Sequence, residues 1–204
     1  LDIGTGANAI YPIIAIREYS WQMAGAEIDP IAVDNIKKLI ALNQVLKNSF
    51  EIRHQQNKHQ FFQDIIEADE CFDFTLCNPP FFSSLKEAET ANKRKNTNLK
   101  KRPSKKPHFN FEGQTTELIY EGGENRFIKN MIRESRQFAH CVLYFSTLVS
   151  KDALVQRFKN QLSNINASEV HVIPLEHGQK KSRILLWSFL TIKQKDSWFM
   201  MRWK

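Results

Sequence analysis

The chain has 204 residues, 42% hydrophobic and 11% aromatic, which suits one globular domain with a real core and excludes a disordered or fibrous protein. No run approaches the ~18–20 apolar residues of a membrane helix, and no basic-then-apolar signal pattern stands at the start of the sequence. The formal net charge is +7, and neither the three cysteines (Cys71, Cys77, Cys141) nor the six histidines show metal-ligand spacing, so free thiols in a reducing cytosol are expected and a zinc site is not.

In chain order, "LDIGTG" reads as the end of a core strand running into a glycine loop. Residues 1–204 are therefore expected to be one domain of a longer protein whose N-terminal segment is absent from this chain. A helix should follow over about Ile10–Tyr19, then a strand at Met23–Ile28. Pro30–Asn43 places Ile31, Ile36, Leu39, Ile40 and Leu42 near helical spacing, with Pro30 in the first turn. Strands are predicted at Phe50–Arg53, Phe72–Cys77, Cys141–Thr147, Glu169–Ile173 and Ile184–Ile192, and helices at Glu124–Phe138 and Lys151–Leu162. Alternation of this kind predicts an α/β fold with a mostly parallel sheet, the last strand being a candidate for an antiparallel one. The closing "DSWFMMRWK" is an aromatic tail that packs on the domain or on a partner.

Residues 83–112 break the rhythm and read as a basic, flexible loop. Residues 83–108 hold nine of the 29 Lys/Arg and two of the 22 Asp/Glu, leaving 20 bases and 20 acids in balance elsewhere. The whole excess charge sits in one segment, which points to a polyanion partner. Lys93, Arg94, Lys95, Lys100, Lys101 and Arg102 are the candidate phosphate contacts. Phe109 and Phe111 either stack on bases or pack in the core, and "EHGQKKSR" (176–183) is a second, smaller basic patch.

Three local patterns carry chemistry. In "LDIGTGANAIYP", Gly4 and Gly6 let a ligand approach the backbone, and Glu27 stands 23 residues after Gly4 at the end of the next strand, where a carboxylate can bind ribose hydroxyls. No third glycine follows Gly6, which disfavours a pyrophosphate and favours an adenosine cofactor without phosphate, S-adenosylmethionine. In "FTLCNPPFF", Asn78 ends a strand beside that loop. Its side-chain oxygen and the Pro79 carbonyl can accept both N–H bonds of a planar NH2 group, Pro79 and Pro80 fix the backbone, and Phe81 offers a face to a flipped base. "ELIYEGGENRF" carries Gly122 and Gly123, read either as a plain turn into a helix or as the hinge of a lid over Gln114–Glu124.

Together, "LDIGTGANAIYPIIA", "GAEIDP", "CNPPFF", "ELIYEGGENRFIKNMI" and "GQKKSRILLWSF" resemble the class I SAM-dependent methyltransferases with an Asn-Pro-Pro-Phe motif. The closer resemblance is to the bacterial large-subunit ribosomal RNA adenine-N6 methyltransferases of the F type, and to their eukaryotic relatives that methylate U6 small nuclear RNA. It implies a Rossmann-like fold with a seven-stranded sheet whose first strand is partly missing here. It also implies methyl transfer from S-adenosylmethionine to N6 of one adenosine in 23S ribosomal RNA, in the cytoplasm, by a protein expected to be a monomer without metal or membrane. Carried over by position, the cofactor contacts are Gly4, Gly6, Glu27 and Asn78, with Gln60 or else Asp64 in the loop after the third strand. Asn78, Pro79, Pro80 and Phe81 hold the target base. Two other readings remain: the same chemistry on a protein glutamine or on DNA adenine, and an RNA-binding module with a disused fold.

Overall fold

The alternation of short apolar runs with amphipathic stretches folds into one twisted sheet flanked by helices. The computed structural model describes residues 1–90, 118–177 and 180–203. Its strands are β1 (Asp2–Ile3), β2 (Met23–Glu27), β3 (Phe50–His54), β4 (Phe72–Phe74), β5 (Leu76–Cys77), β6 (Val142–Val149), β7 (Glu169–His177) and β8 (Lys180–Ser188). The principal helices are α1 (Ile10–Tyr19), α2 (Pro30–Leu42), α3 (Gln44–Lys47), α4 (Gly123–Ser135), α5 (Asp152–Asn164) and α6 (Ile192–Arg202); residues 85–90, at the start of the expected loop, are helical as well rather than irregular. None is long and apolar enough to cross a membrane.

Strand order is β3-β2-β1-β5 in one ladder and β4-β6-β8-β7 in the other. The predicted strand Phe72–Cys77 joins them. Its first half pairs in parallel with β6 and its second half with β1, and the change falls at Thr75. There the Thr75 amide donates to the Tyr144 carbonyl (2.9 Å), while Ser146 bonds both the hydroxyl (3.1 Å) and the carbonyl (2.6 Å) of Thr75. Counting residues 72–77 once gives seven strand positions, all parallel except β8, which runs antiparallel to both β6 and β7.

Side-chain caps set the start of three helices, α2, α3 and α6. The Asp29 side chain caps α2 by accepting the Ile31 amide (2.9 Å), with Pro30 at the first helical position. The C-terminal prediction needs correction. The expected strand Ile184–Ile192 lies instead at Lys180–Ser188, because Thr191 and Gln194 form a reciprocal capping box that starts α6. The aromatic tail is that helix.

The main core places Ile128, Met131 and Ile132 of α4 and Phe158 and Leu162 of α5 against Phe62, Phe145 and Trp187. Phe145 stacks on Trp187 with ring centroids 5.6 Å apart. A second core gathers Ile16, Val33, Ile36 and Leu46 under Phe50 and Ile52. A third seats Trp198 of α6 on Leu143 and Leu190.

Asp73 on β4 anchors α6. Its carboxylate accepts the indole N–H of Trp198 (2.6 Å) and of Trp203 (3.1 Å) and a two-pronged bond from the Arg202 guanidinium (3.0 Å each). Burial alone would raise this carboxyl, but the bonds from Arg202, Trp198 and Trp203 hold it below its ordinary value of 3.8. A depressed acid stabilises the fold above that ordinary value and loses its contribution as pH falls through the lower folded value. Asp73→Asn should therefore lower the melting temperature at pH 7 by about 4–8 °C, the equivalent of about 2 kcal/mol. The gap from wild type should close as pH falls below 4; an equal melting temperature at pH 7 would show that the anchor is idle.

Candidate active site

β1 is two residues long, and its register sets the site. Ile3 pairs with Ala26 of β2 on one side and with Cys77 of β5 on the other. The next residues along the three parallel strands, Gly4, Glu27 and Asn78, therefore leave the carboxyl edge of the sheet at one level. Open parallel sheets bind ligands at that edge.

The loop between β1 and α1 is held from below. The Gly4 and Thr5 amides donate to the Ala26 carbonyl (2.9 and 3.1 Å), and Gly4 and Gly6 adopt left-handed φ of 72° and 66°. A Cβ on Gly4 would meet open space, so this turn presents bare backbone to whatever lies over it. Gly25, inside β2, has a different reason: a Cβ there would stand 2.5 Å from the Thr5 hydroxyl, so the loop packs onto β2 only because the side chain is missing.

Glu27 is 4% exposed and ties the loop to the sheet. One carboxylate oxygen accepts the Gly6 amide (2.8 Å), and the other accepts the amides of Ile28 (2.7 Å) and Asp29 (2.9 Å). Sequence reasoning expected a free ribose ligand; the structure gives Glu27 the additional task of shaping the loop. Close by, Asp2 is 1% exposed, and among the described residues neither of its carboxylate oxygens has a hydrogen-bond partner. Burial, the dominant cause, pushes the Asp2 carboxyl up to about 7. A buried acid without a partner is costly to ionise, and a cation nearby would relieve that cost.

At the corner, Asn78 is exposed, Pro79 is buried, and Pro80 and Phe81 are half-buried. The Asn78 amide has no hydrogen-bond partner among the described residues. Its neighbour Cys77 is buried, which pushes its thiol well above the ordinary range, so no thiolate base or nucleophile stands beside the corner. Immediately after Phe81, Phe82 bridges in parallel to Ile119: the Phe82 amide donates to the Leu118 carbonyl (3.1 Å) and the Tyr120 amide to the Phe82 carbonyl (3.0 Å). The chain thus leaves the corner at Phe82 and comes back to it at Ile119. The six candidate phosphate contacts, Lys93, Arg94, Lys95, Lys100, Lys101 and Arg102, lie outside the described residues, as do Phe109, Phe111 and Gln114. The described end of the expected lid is tied down, since Glu124 is 1% exposed and bonds the amide and hydroxyl of Ser150.

Gln60 lies on the loop leaving β3, whose first amide, Gln55, donates to the Glu27 carbonyl (2.9 Å) and so keeps the loop beside the acid. Gln60 is half-buried, whereas Asp64 is exposed in a left-handed turn (φ 62°) and bonds Gln63, which favours Gln60 of the two. Sequence reasoning missed what fixes this loop. The Glu134 carboxylate of α4 accepts the amides of Phe61, Phe62 and Gln63 at 2.8–3.0 Å.

A family model described as RNA methyltransferase matches residues 1–191. The chain belongs to that family. It is 42% identical to the Ribosomal RNA large subunit methyltransferase F of Cytophaga hutchinsonii, over all of this chain and 63% of that protein. It is 43% identical to the protein of that name from Pseudomonas aeruginosa, over all of this chain and 61% of that one. The chain spans about three fifths of the length of these curated relatives. Among solved structures it is similar to the hMettl16 catalytic domain in complex with MAT2A 3′UTR hairpin 1, with a TM-score of 0.76 and 27% identity over 94% of this chain and 63% of that one. The expected family and the class I methyltransferase architecture are both borne out.

The orphaned acid gives this family member a measurable signature. Asp2 has a folded pKa above its unfolded one, so its ionisation opposes folding, by nothing well below its ordinary value of 3.8 and increasingly from there up to about pH 7. Without ligand, Asp2→Asn should melt a little above wild type at pH 4.5 and by a clearly larger margin at pH 8. Parallel melting curves across that range would show that Asp2 is not strained.

Proposed function

We propose that the protein to which this chain belongs transfers a methyl group from S-adenosylmethionine to the N6 amino group of one adenosine in 23S ribosomal RNA. The observation that carries this reading is the shared level of Gly4, Glu27 and Asn78, which sets a nucleoside-type loop and an amide-bearing corner side by side. The names of the similar bacterial proteins support a large-subunit RNA substrate. An RNA hairpin bound to hMettl16 supports RNA as the acceptor class. The neutral remainder of the chain and the concentrated charge at 83–108 agree with a polyanion.

The residues present fit S-adenosylmethionine. Bare backbone at Gly4 leaves room for it, and the Glu27 carboxylate stands at the next strand end, where a ribose hydroxyl can reach it. Two buried acids behind the loop, Asp2 and Glu27, repel a pyrophosphate and attract a cationic sulfonium or ammonium. When bound, this cofactor supplies an electrophilic methyl group.

The chain's own residues would then act as follows. Asn78 Oδ1 and the Pro79 carbonyl accept the two N–H bonds of the adenine amine and aim its lone pair at the methyl donor; Pro80 holds that backbone, and Phe81 stacks on the base. Positioning carries the rate, and the buried Cys77 thiol beside the corner does not serve as a base. Gly4, Gly6, Glu27, Gln60 and Asn78 hold the cofactor. Lys93, Arg94, Lys95, Lys100, Lys101 and Arg102 contact phosphates. On this reading residues 1–204 form a single domain working in the cytoplasm, as a monomer and without a metal. Among the described residues no group of three His, Cys, Asp or Glu could hold one.

The test is methyl transfer from labelled S-adenosylmethionine by the full-length protein, offered partly deproteinised ribosomal RNA, DNA or cell protein from cells lacking it. Label recovered as N6-methyladenosine in the large ribosomal RNA is expected. Asn78→Ala should lower the rate at least a hundredfold while cofactor binding weakens but stays measurable. Label on DNA or on glutamine would overturn the substrate and keep the corner. Unchanged turnover in Asn78→Ala would overturn the corner itself.

A further inference from the structure

Tyr120 has no part in the chemistry above, yet it touches both halves of the site. It is 7% exposed. Its backbone reaches the substrate corner, donating to the Phe82 carbonyl one residue beyond Phe81 and accepting the Gly123 amide (2.7 Å). Its hydroxyl reaches the other way, lying 3.2 Å from His59 Nδ1 and 3.2 Å from Asn130 Nδ2. Asn130 Nδ2 donates to the hydroxyl, and His59 Nδ1 accepts the hydroxyl proton in one ring tautomer and donates to the oxygen in the other. His59 precedes Gln60 on the loop leaving β3.

Two of the ties on that loop are of unequal strength. Glu134 grips three successive amides with a charged group, a firm attachment to α4. The His59–Tyr120 contact is a single, long hydrogen bond, the weaker of the two and the one that leads to the corner. The Tyr120 ring is packed independently of its hydroxyl, edge-on against Phe127 with centroids 5.1 Å apart.

We propose that Tyr120 is a positioning residue that couples the two halves of the site: RNA held at Asn78–Phe81 fixes Phe82 and Tyr120, and the Tyr120 hydroxyl in turn fixes the His59–Gln60 loop against the cofactor. Linkage makes the effect reciprocal, so bound cofactor tightens RNA to the same degree. The inference rests on the reading of Asn78–Phe81 as the substrate corner and of Gln60 as a cofactor contact.

The test measures the affinity of the full-length protein for S-adenosylhomocysteine, alone and in the presence of protein-free 23S ribosomal RNA. Wild type should bind at least about fivefold more tightly with RNA, the low end of ordinary coupling. Tyr120→Phe keeps the ring and removes the hydroxyl. It should leave the affinity without RNA and the melting temperature near wild type, while the ratio with and without RNA falls to within about twofold of one. His59→Leu should do the same, and the double variant should lose nothing more. A merely structural role for Tyr120 would shift melting temperature and both affinities but leave the ratio alone. An unchanged ratio in Tyr120→Phe, or a ratio of one in a wild-type protein that still methylates RNA, overturns the coupling. If methyl transfer to RNA is itself absent, the substrate reading has failed and the coupling falls with it.

Discussion

Everything at the active edge depends on how Ile3 is paired. A two-residue strand offers few hydrogen bonds, yet it sits between β2 and β5, and its register decides which residues emerge together. A slip of one residue would exchange the faces of the side chains on β1, and a slip of two would carry Gly4 past Asn78. What holds the register is the setting. The Leu76 amide donates to the Leu1 carbonyl (2.8 Å), Leu1 and Ile3 are buried, and β2 and β3 continue the ladder over five aligned pairs. The glycine loop adds to this, since Gly4 and Thr5 both donate to Ala26 and Gly6 to Glu27.

The same edge stores unfavourable electrostatics. Folding alone would not select Asp2, a buried acid with no hydrogen-bond partner among the described residues, beneath a loop already secured by Glu27. An apolar residue of similar size would cost nothing to bury there. Its presence makes sense if a positively charged ligand completes the site, and that is the property separating a sulfonium cofactor from a dinucleotide. Stability given up at Asp2 is offset in the body of the protein by the core between α4, α5 and the sheet, and by the Asp73 anchor of α6.

Much of this was legible in the residues. The glycine loop, Glu27 and Asn78 are local patterns with fixed offsets, and the helices over Ile10–Tyr19 and Pro30–Leu42 begin and end close to their predicted bounds. The parts that were not legible depend on distant partners. Nothing local marks Glu134 as the residue that holds a loop some seventy positions earlier, or Asp73 as the anchor of a helix about 125 positions later. The strand predicted at Ile184–Ile192 ended early because the apolar run continues through Phe189 and Leu190, while the capping pair Thr191 and Gln194 had already changed the backbone. Thr75 splits a strand that reads as continuous, for it is the buried bonding to Ser146 that hands the chain from one ladder to the other. Gly25 did carry a signal, since glycine inside a strand often marks a close backbone approach, and here that approach is the Thr5 side chain.

The most direct test of the central claim is a crystal structure of the full-length protein with S-adenosylhomocysteine and adenosine. The account predicts the ribose hydroxyls within hydrogen-bond reach of Glu27, the sulfur beside Gly4, and the adenosine amine facing Asn78 Oδ1 and the Pro79 carbonyl. A cofactor bound away from the Gly4–Gly6 turn, or an adenosine amine pointing away from Asn78, would contradict it.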